Sequence, residues 1–133
     1  MERSYIMLKP GFLQHEEQII ERVKAIGGEV LYRKQFRIER SQALEHYAHV
    51  PSQFLDSIAD YMISDDVVGF VIGGESGIIA KIREIVGPTK NAPAGTIRGD
   101  FGIGDITRNV IHASDAVETA EIEIKRFCSE FLK

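Results

Sequence analysis

The segment RNVIHASD, Arg108 to Asp115, sets a histidine where an apolar run stops and a polar helix start begins. Imidazole is a nucleophile and a general base near pH 7, because its neutral form is then populated. Val110 and Ile111 read as the end of a buried strand. Ser114 and Asp115 read as the opening of a helix, with Asp115 and Glu118 spaced as its cap. His112 is therefore predicted to be held between two rigid elements rather than on a mobile loop. A lone histidine so placed is more often structural than catalytic, and the other charged residues must decide.

Three cations stand beside turns rich in glycine and proline. Lys9 ends a strand directly before Pro10-Gly11, Arg83 lies on the helix leading to Gly87-Pro88-Thr89, and Arg98 sits between Gly95 and Gly99 in GTIRGD. Any one of them alone reads as a solvated surface charge. Placed together beside such turns, they suit a phosphate: the arginine fork matches its oxygens and lysine supplies a movable point charge. Other motifs fail on context. No Walker A spacing is present, and Asp100-Phe101-Gly102 spells a protein-kinase triplet without the length or the HRD loop of that fold. Arg98-Gly99-Asp100 spells an adhesion tripeptide, which matters only in an exposed extracellular loop. His15, His46, His49 and His112 lack the spacing of a metal cluster.

The elements that must position these groups follow from periodicity. Ser4 to Leu8 is a short strand stopped by Pro10-Gly11. Ile19, Ile20, Val23 and Ile26 form the apolar stripe of a helix ended by Gly27-Gly28. Val30, Tyr32, Phe36 and Ile38 alternate as a half-buried strand, with Lys34 breaking the pattern. Helical pieces follow around Ser41 to Tyr47 and Ser52 to Ile63, the second carrying Phe54, Ile58, Tyr61 and Met62 on one face. VVGFVIGG (Val67 to Gly74) is apolar on both faces and reads as a central strand. Ile78, Ile82 and Ile85 align on a further helix that stops at Gly87. The stretch from Gly87 to Thr107 reads as a long loop, which in a compact domain is usually functional or disordered. NVIH (Asn109 to His112) is the last strand, and Val117, Ala120, Ile124, Phe127 and Phe131 stripe the last helix. The order β-α-β-(αα)-β-α-β-α predicts an α+β, ferredoxin-like βαββαβ sandwich: a four-stranded antiparallel sheet with helices on one face.

The 133 residues suffice for one domain, 1–133, but not comfortably for two. A net charge of -4 argues against a general nucleic-acid partner, whose footprint is basic. No segment has the apolar length to span a bilayer, and the start of the chain lacks a signal-peptide pattern. The single cysteine, Cys128, permits no internal disulfide. These features predict a cytoplasmic protein with no stable nucleic-acid or membrane partner.

YIMLKP, HY, YM, GPT, GTIRGDF and RNVIHASD, in that order, resemble the nucleoside diphosphate kinase family from about Glu2 to Phe127. NVIHASD is a close form of that family's active-site signature. The resemblance implies the ferredoxin-like fold and transfer of the γ-phosphate of a nucleoside triphosphate, typically ATP, to a nucleoside or deoxynucleoside diphosphate. It implies Mg²⁺ carried by the nucleotide phosphates without protein ligands, and a ping-pong course through a phosphohistidine. His112 would be the nucleophile, with Ser114 and Glu123 orienting and polarising its ring and Tyr47 close by. Lys9, Arg83, Thr89 and Arg98 would bind phosphates, Phe54 would stack on the base, and Asn109 with Lys9 would meet the ribose hydroxyls. The family further implies a homo-oligomer, hexamer or tetramer, built from dimers.

The chain also departs from the family pattern. KPG replaces the usual KPD, so Gly11 stands where an acid is expected. Gly11 to Glu17, AHVPSQF and Lys90 to Gly95 are shortened, and GIGDIT carries an extra residue. These changes are expected to touch the nucleotide mouth or subunit contacts rather than the chemistry. Two alternatives stand beside the enzyme: a non-catalytic nucleotide-binding regulator of the same fold, and a bare interaction module.

Overall fold

The structure, a computed structural model, describes residues 1–133. Two strands are buried along both faces: β1 (Glu2–Leu8), buried from Ser4 onward, and β3 (Val67–Gly74), buried up to its last residue. Such strands must sit centrally, because an edge or a bare face would expose their apolar side chains. The sheet order is β2-β3-β1-β4, with β2 (Glu29–Phe36) and β4 (Ile111–Ala113) at the edges and every pairing antiparallel. That is the expected four-stranded architecture.

Helices cover both faces rather than one. On the first face, α1 (Glu16–Ala25) and α4 (Ile78–Val86) bury Ile19, Val23, Ile78 and Ile82 against Ile6, Leu8, Phe70 and Ile72. On the second, α2 (Arg40–His46), α3 (Ser52–Met62) and α6 (Val117–Phe127) bury Ala43, Met62, Ile124 and Phe127 against Tyr5, Met7 and Val71. The reason lies in β1 and β3 themselves, since alternate residues of each are apolar in both directions. Full burial of each such side chain contributes about 1.5–3 kcal/mol, which an uncovered second face would forfeit.

Several local expectations are corrected. A register shift between Val30 and Tyr32 bulges β2, so these two do not share a face: Val30 packs with the first cluster, and Leu31, Tyr32 and Phe36 with the second. Lys34 lies near the Phe36 ring and carries its ammonium to the carbonyl of Phe127, at the end of α6, and to Glu130 in the turn beyond it. Its aliphatic stem thus covers apolar surface while its charge is satisfied. Val117 is 47% exposed and leaves the apolar stripe of α6; Glu123 is buried instead, and Phe131 follows the helix in a 3-10 turn.

The start of α6 is not capped by Asp115 and Glu118. The Ala116 N–H donates to Thr119 Oγ1 at 2.9 Å, while Asp115 turns away to pair with Arg83 at 2.6 Å. The last strand is shorter than NVIH as well. Val110 takes φ 77, and Ile111 N–H donates to the Asn109 carbonyl at 2.9 Å, closing a tight three-residue turn before β4. A β-branched residue in that region carries strain of about 1–3 kcal/mol, which surrounding packing must offset. Val110 is fully buried, so the packing is present.

Gly87 to Thr107 is not one structureless loop, for α5 (Ile97–Phe101) lies within it. Thr96 caps α5, accepting from Gly99 N–H at 3.0 Å and donating to the Pro93 carbonyl at 2.7 Å. Gly87 makes the approach possible: it has φ 85, and a Cβ there would meet the Thr96 side chain at 2.7 Å. Glycine at this turn lets the end of α4 touch the start of α5, and so decides where Arg98 stands.

Candidate active site

His112 occupies the middle of β4, paired across to Met7 of β1. Its Nε2 lies 2.7 Å from Glu123 Oε2 of α6. A carboxylate only accepts, so Nε2 carries the proton and Nδ1 is left with the lone pair. Glu123 is only 7% exposed, and its second oxygen accepts from the Ser114 hydroxyl at 2.5 Å. Ser114 in turn accepts the Tyr5 N–H at 3.0 Å, which ties the chain Ser114–Glu123–His112 to the central strand. Each member is oriented by a partner that is itself fixed by the sheet or by α6, so the ring has little freedom to turn.

The histidine opens on a cleft of about 500 Å³. Arg83, Thr89 and Arg98 line one side of it, and His46, Glu123 and Arg126 the other. Arg98 donates to the carbonyls of Gly87 at 2.9 Å and Ile111 at 2.8 Å, and its buried Nε has no partner. No carboxylate pairs with it. Burial first, and then the charge of Arg83, lower its pKa to about 10, so it remains a cation at neutral pH. Arg83 reaches the Ala113 carbonyl at 3.3 Å but is also held by the exposed Asp115. That surface pair is weak and can be exchanged for another anion.

Lys9 is buried behind this wall, at 6% exposure, where β1 ends. Its Nζ donates to the Thr107 carbonyl at 3.2 Å and lies 6.0 Å from the centre of the Tyr47 ring. Burial first, with the charge of Arg98 second, lowers its pKa to about 7. The Tyr47 hydroxyl and Asn109 Oδ1 are buried without partners, although Asn109 Nδ2 donates to the Ile106 carbonyl at 2.9 Å. Burial pushes the Tyr47 hydroxyl up, so it keeps its proton as a donor. Unpartnered buried polar atoms and a cation without a counterion are each costly. Tyr47 and Arg98 line the cleft with His112 and offer donors to an anion, whereas Asn109 Oδ1 suits a ligand hydroxyl, since it can only accept.

The structure thus brings together His112, Ser114, Glu123, Lys9, Tyr47, Arg83, Thr89, Arg98 and Asn109 around β4, α5 and α6. Phe54 stands outside the cleft wall, on α3, and is 52% exposed. It is not a core residue. The sequence reading missed His46 and Arg126. The His46 ring meets His112 edge-on at 4.6 Å, and Arg126 donates to His46 Nδ1 at 2.9 Å. The available signal was spacing: Arg126 follows Glu123 by three residues on one helix and so shares its face.

Glu123, His46 and His112 put three metal-capable atoms within 4.8 Å of one another. Each group is already engaged, His46 Nδ1 by Arg126 and Glu123 by His112 and Ser114. The other acids on the cleft wall, Asp115 and Glu45, are paired with Arg83 and Arg126. This donor set suits a divalent ion that arrives on a ligand's phosphates, not one caged by the protein.

A family model described as nucleoside diphosphate kinase matches residues 2–131. The chain belongs to the nucleoside diphosphate kinase family. It is 42% identical to the nucleoside diphosphate kinase of Acetivibrio thermocellus, covering 98% of both chains. It is 41% identical to that of Archaeoglobus fulgidus, over 98% of this chain and 88% of the relative. Among solved structures, the nucleoside diphosphate kinase of Encephalitozoon cuniculi superposes with a TM-score of 0.91 at 34% identity, over 96% of this chain and 89% of that one. That of Aquifex aeolicus gives 0.85 at 34% identity, over 94% and 93%. The activity is therefore nucleoside diphosphate kinase activity, its substrates are nucleotides, and reactions of this class use a divalent metal. Nothing in the site favours a non-catalytic regulator. No helix is long and apolar enough to cross a membrane.

Proposed function

We propose that His112 Nδ1 accepts the γ-phosphoryl group of a nucleoside triphosphate and passes it to a nucleoside diphosphate, the whole chain acting as one kinase domain. The observation that carries this reading is the hydrogen bond from His112 Nε2–H to Glu123, which leaves Nδ1 as the nucleophilic nitrogen on the cleft. In the first half-reaction the Nδ1 lone pair forms the P–N bond while the bond from the γ-phosphorus to the bridging oxygen breaks, releasing the diphosphate. The second half-reaction reverses these events with another diphosphate. As phosphorus bonds to Nδ1 the ring becomes cationic, and buried Glu123 stabilises that charge through Nε2–H. Ser114 holds the carboxylate in line.

Arg98, Arg83, Thr89 and Lys9 are the groups that meet the phosphates. They are arranged before substrate arrives, so little reorganisation is left for the transition state. Tyr47 and Asn109 supply the unpartnered polar atoms nearby, Asn109 with Lys9 toward the ribose. Phe54, exposed on α3, offers a flat face to any base, which suits a broad nucleotide range. Mg²⁺ would suit this donor set, carried on the nucleotide's phosphates rather than by protein ligands, where it would supply charge neutralisation during transfer. A cytoplasmic homo-oligomer, hexamer or tetramer built from dimers, fits a small chain that gains by burying apolar surface between copies.

Incubation with ATP labelled at the γ-phosphate tests the reading. The protein should take up label as an acid-labile, base-stable phosphate on His112, discharged by added nucleoside diphosphate. Label that stays on nucleotide until both nucleotides are present together would overturn the covalent course.

Lys9 adds a pH dependence. Its folded pKa is depressed, so burying it costs the empty protein stability as pH falls from the usual lysine range through about 7. Above that value the amine is mostly neutral, and an arriving phosphate restores its charge. Diphosphate binding at pH 8 should therefore take up close to about one proton at this site, and at pH 6 far less. Calorimetry in buffers of different ionisation heats measures this. The uptake at pH 8 should shrink in Lys9→Met, and equal uptake in that variant would place the proton elsewhere.

A further inference from the structure

We propose that Arg126 and His46 are positioning residues for the reaction at His112: Arg126 occupies His46 Nδ1 and thereby keeps Glu123 for His112 alone. The inference rests on the reading of His112 as the phosphate acceptor.

Glu123 Oε2 has two imidazoles within reach. His112 Nε2 lies at 2.7 Å, and His46 Nδ1 at 4.0 Å. A small rotation of either ring would let His46 compete, provided Nδ1 carried a proton. It does not, because Arg126 Nη1 donates to that nitrogen at 2.9 Å, and guanidinium only donates. His46 Nδ1 is therefore the accepting nitrogen of a neutral ring. Arg126 is itself pinned, its Nε to Glu45 Oε1 at 3.1 Å, and its backbone carbonyl accepts from Gln42 Nε2 at 3.0 Å. Both anchors come from α2, the helix that carries His46 at its end. The contact thus joins α2 to α6 directly behind the nucleophile.

The surroundings of His46 show why its charge matters. It is faced by His112 from β4, by Glu123 and Arg126 from α6, by Lys9 from the end of β1, and by His49 beyond α2, with Glu45 preceding it on α2. Its ring also meets Tyr47 and Phe127 edge-on, at 4.8 and 5.2 Å. Glu45, its neighbour on α2, is engaged by Arg126, which leaves Glu123 as the acid within reach of its Nδ1. A proton gained at Nδ1 would find its best partner in that carboxylate and draw it from His112. It would also place a second cation against the ring that must become cationic during transfer. An arginine donor at Nδ1 prevents both. Packing alone would be served by any long apolar side chain in place of Arg126.

Arg126→Met retains the length and removes the donor. The expected result is slower His112 phosphorylation, by about tenfold relative to the parent at pH 6 and by less at pH 8, since free imidazole titrates near 6.5. The kcat should fall more than KM changes, because the phosphate groups are untouched. Nitrogen-15 NMR should show His46 Nδ1 unprotonated in the parent down to pH 5.5 and protonating in Arg126→Met. The double variant Arg126→Met/His46→Asn should lose the extra acid dependence, having no second imidazole to charge. Should Arg126→Met not fold, Glu45→Gln releases the guanidinium without removing it and should shift His46 the same way. A His46 that stays neutral in the variant, or an acid loss that persists in the double variant, overturns the inference. Failure of the parent to carry phosphate on His112 would instead overturn the reading of the nucleophile.

Discussion

His112→Ala should lose transfer between nucleotides altogether, a drop on the order of 10⁴-fold or more, as follows when a covalent nucleophile is removed. Nucleotide binding should survive, because Arg98, Arg83 and Lys9 stand on α5, α4 and the end of β1 rather than on the histidine. One complication is Glu123, buried and left with Ser114 as its main partner. A buried carboxylate that loses a hydrogen-bond donor destabilises the fold. His112→Gln controls for this, since its amide can still donate to Glu123 without offering a nucleophilic nitrogen. Both variants should bind nucleoside diphosphate with near-parental affinity and take no label from ATP. Phosphate appearing on the protein in either, on His46 for example, would show that the acceptor is another group.

The second large effect concerns the buried cations. Arg98→Ala and Lys9→Ala should each reduce turnover by about a hundredfold or more, the scale of removing a preorganised charge stabiliser. Arg98 is the more informative position. It joins the Gly87 turn to β4 through the carbonyls of Gly87 and Ile111, so its loss also loosens the strand that carries His112. Arg98→Lys separates the two contributions. A lysine keeps the charge but cannot reach both carbonyls and a phosphate with one planar fork, so rescue should be incomplete. Melting temperature and turnover per folded molecule must be measured together. A fall in stability with unchanged turnover would make Arg98 and Lys9 structural cations.

Part of this protein is determined by sequence alone, because short-range chemistry decides it. The apolar runs of β1 and β3 permit only a central place in a sheet, and the stripes of α1 and α4 permit only a helix laid on it. RNVIHASD and GTIRGDF put a histidine and an arginine beside turns that only a few backbone conformations satisfy. What tertiary structure decided are the matters of reach. The Val110 turn, which shortens the last strand, arises from packing around a buried side chain and leaves no local mark. Asp115 could cap α6, yet Arg83 lies within 2.6 Å and wins it. The bulge in β2 follows from pairing with β3, which no run of residues in β2 records. Arg126 and His46 are 80 residues apart, and their contact exists because α2 and α6 pack on the same face of the sheet. Spacing along a chain specifies which groups share an element. Which groups share a proton depends on distances across elements, and those are set only when the faces of the sheet are covered.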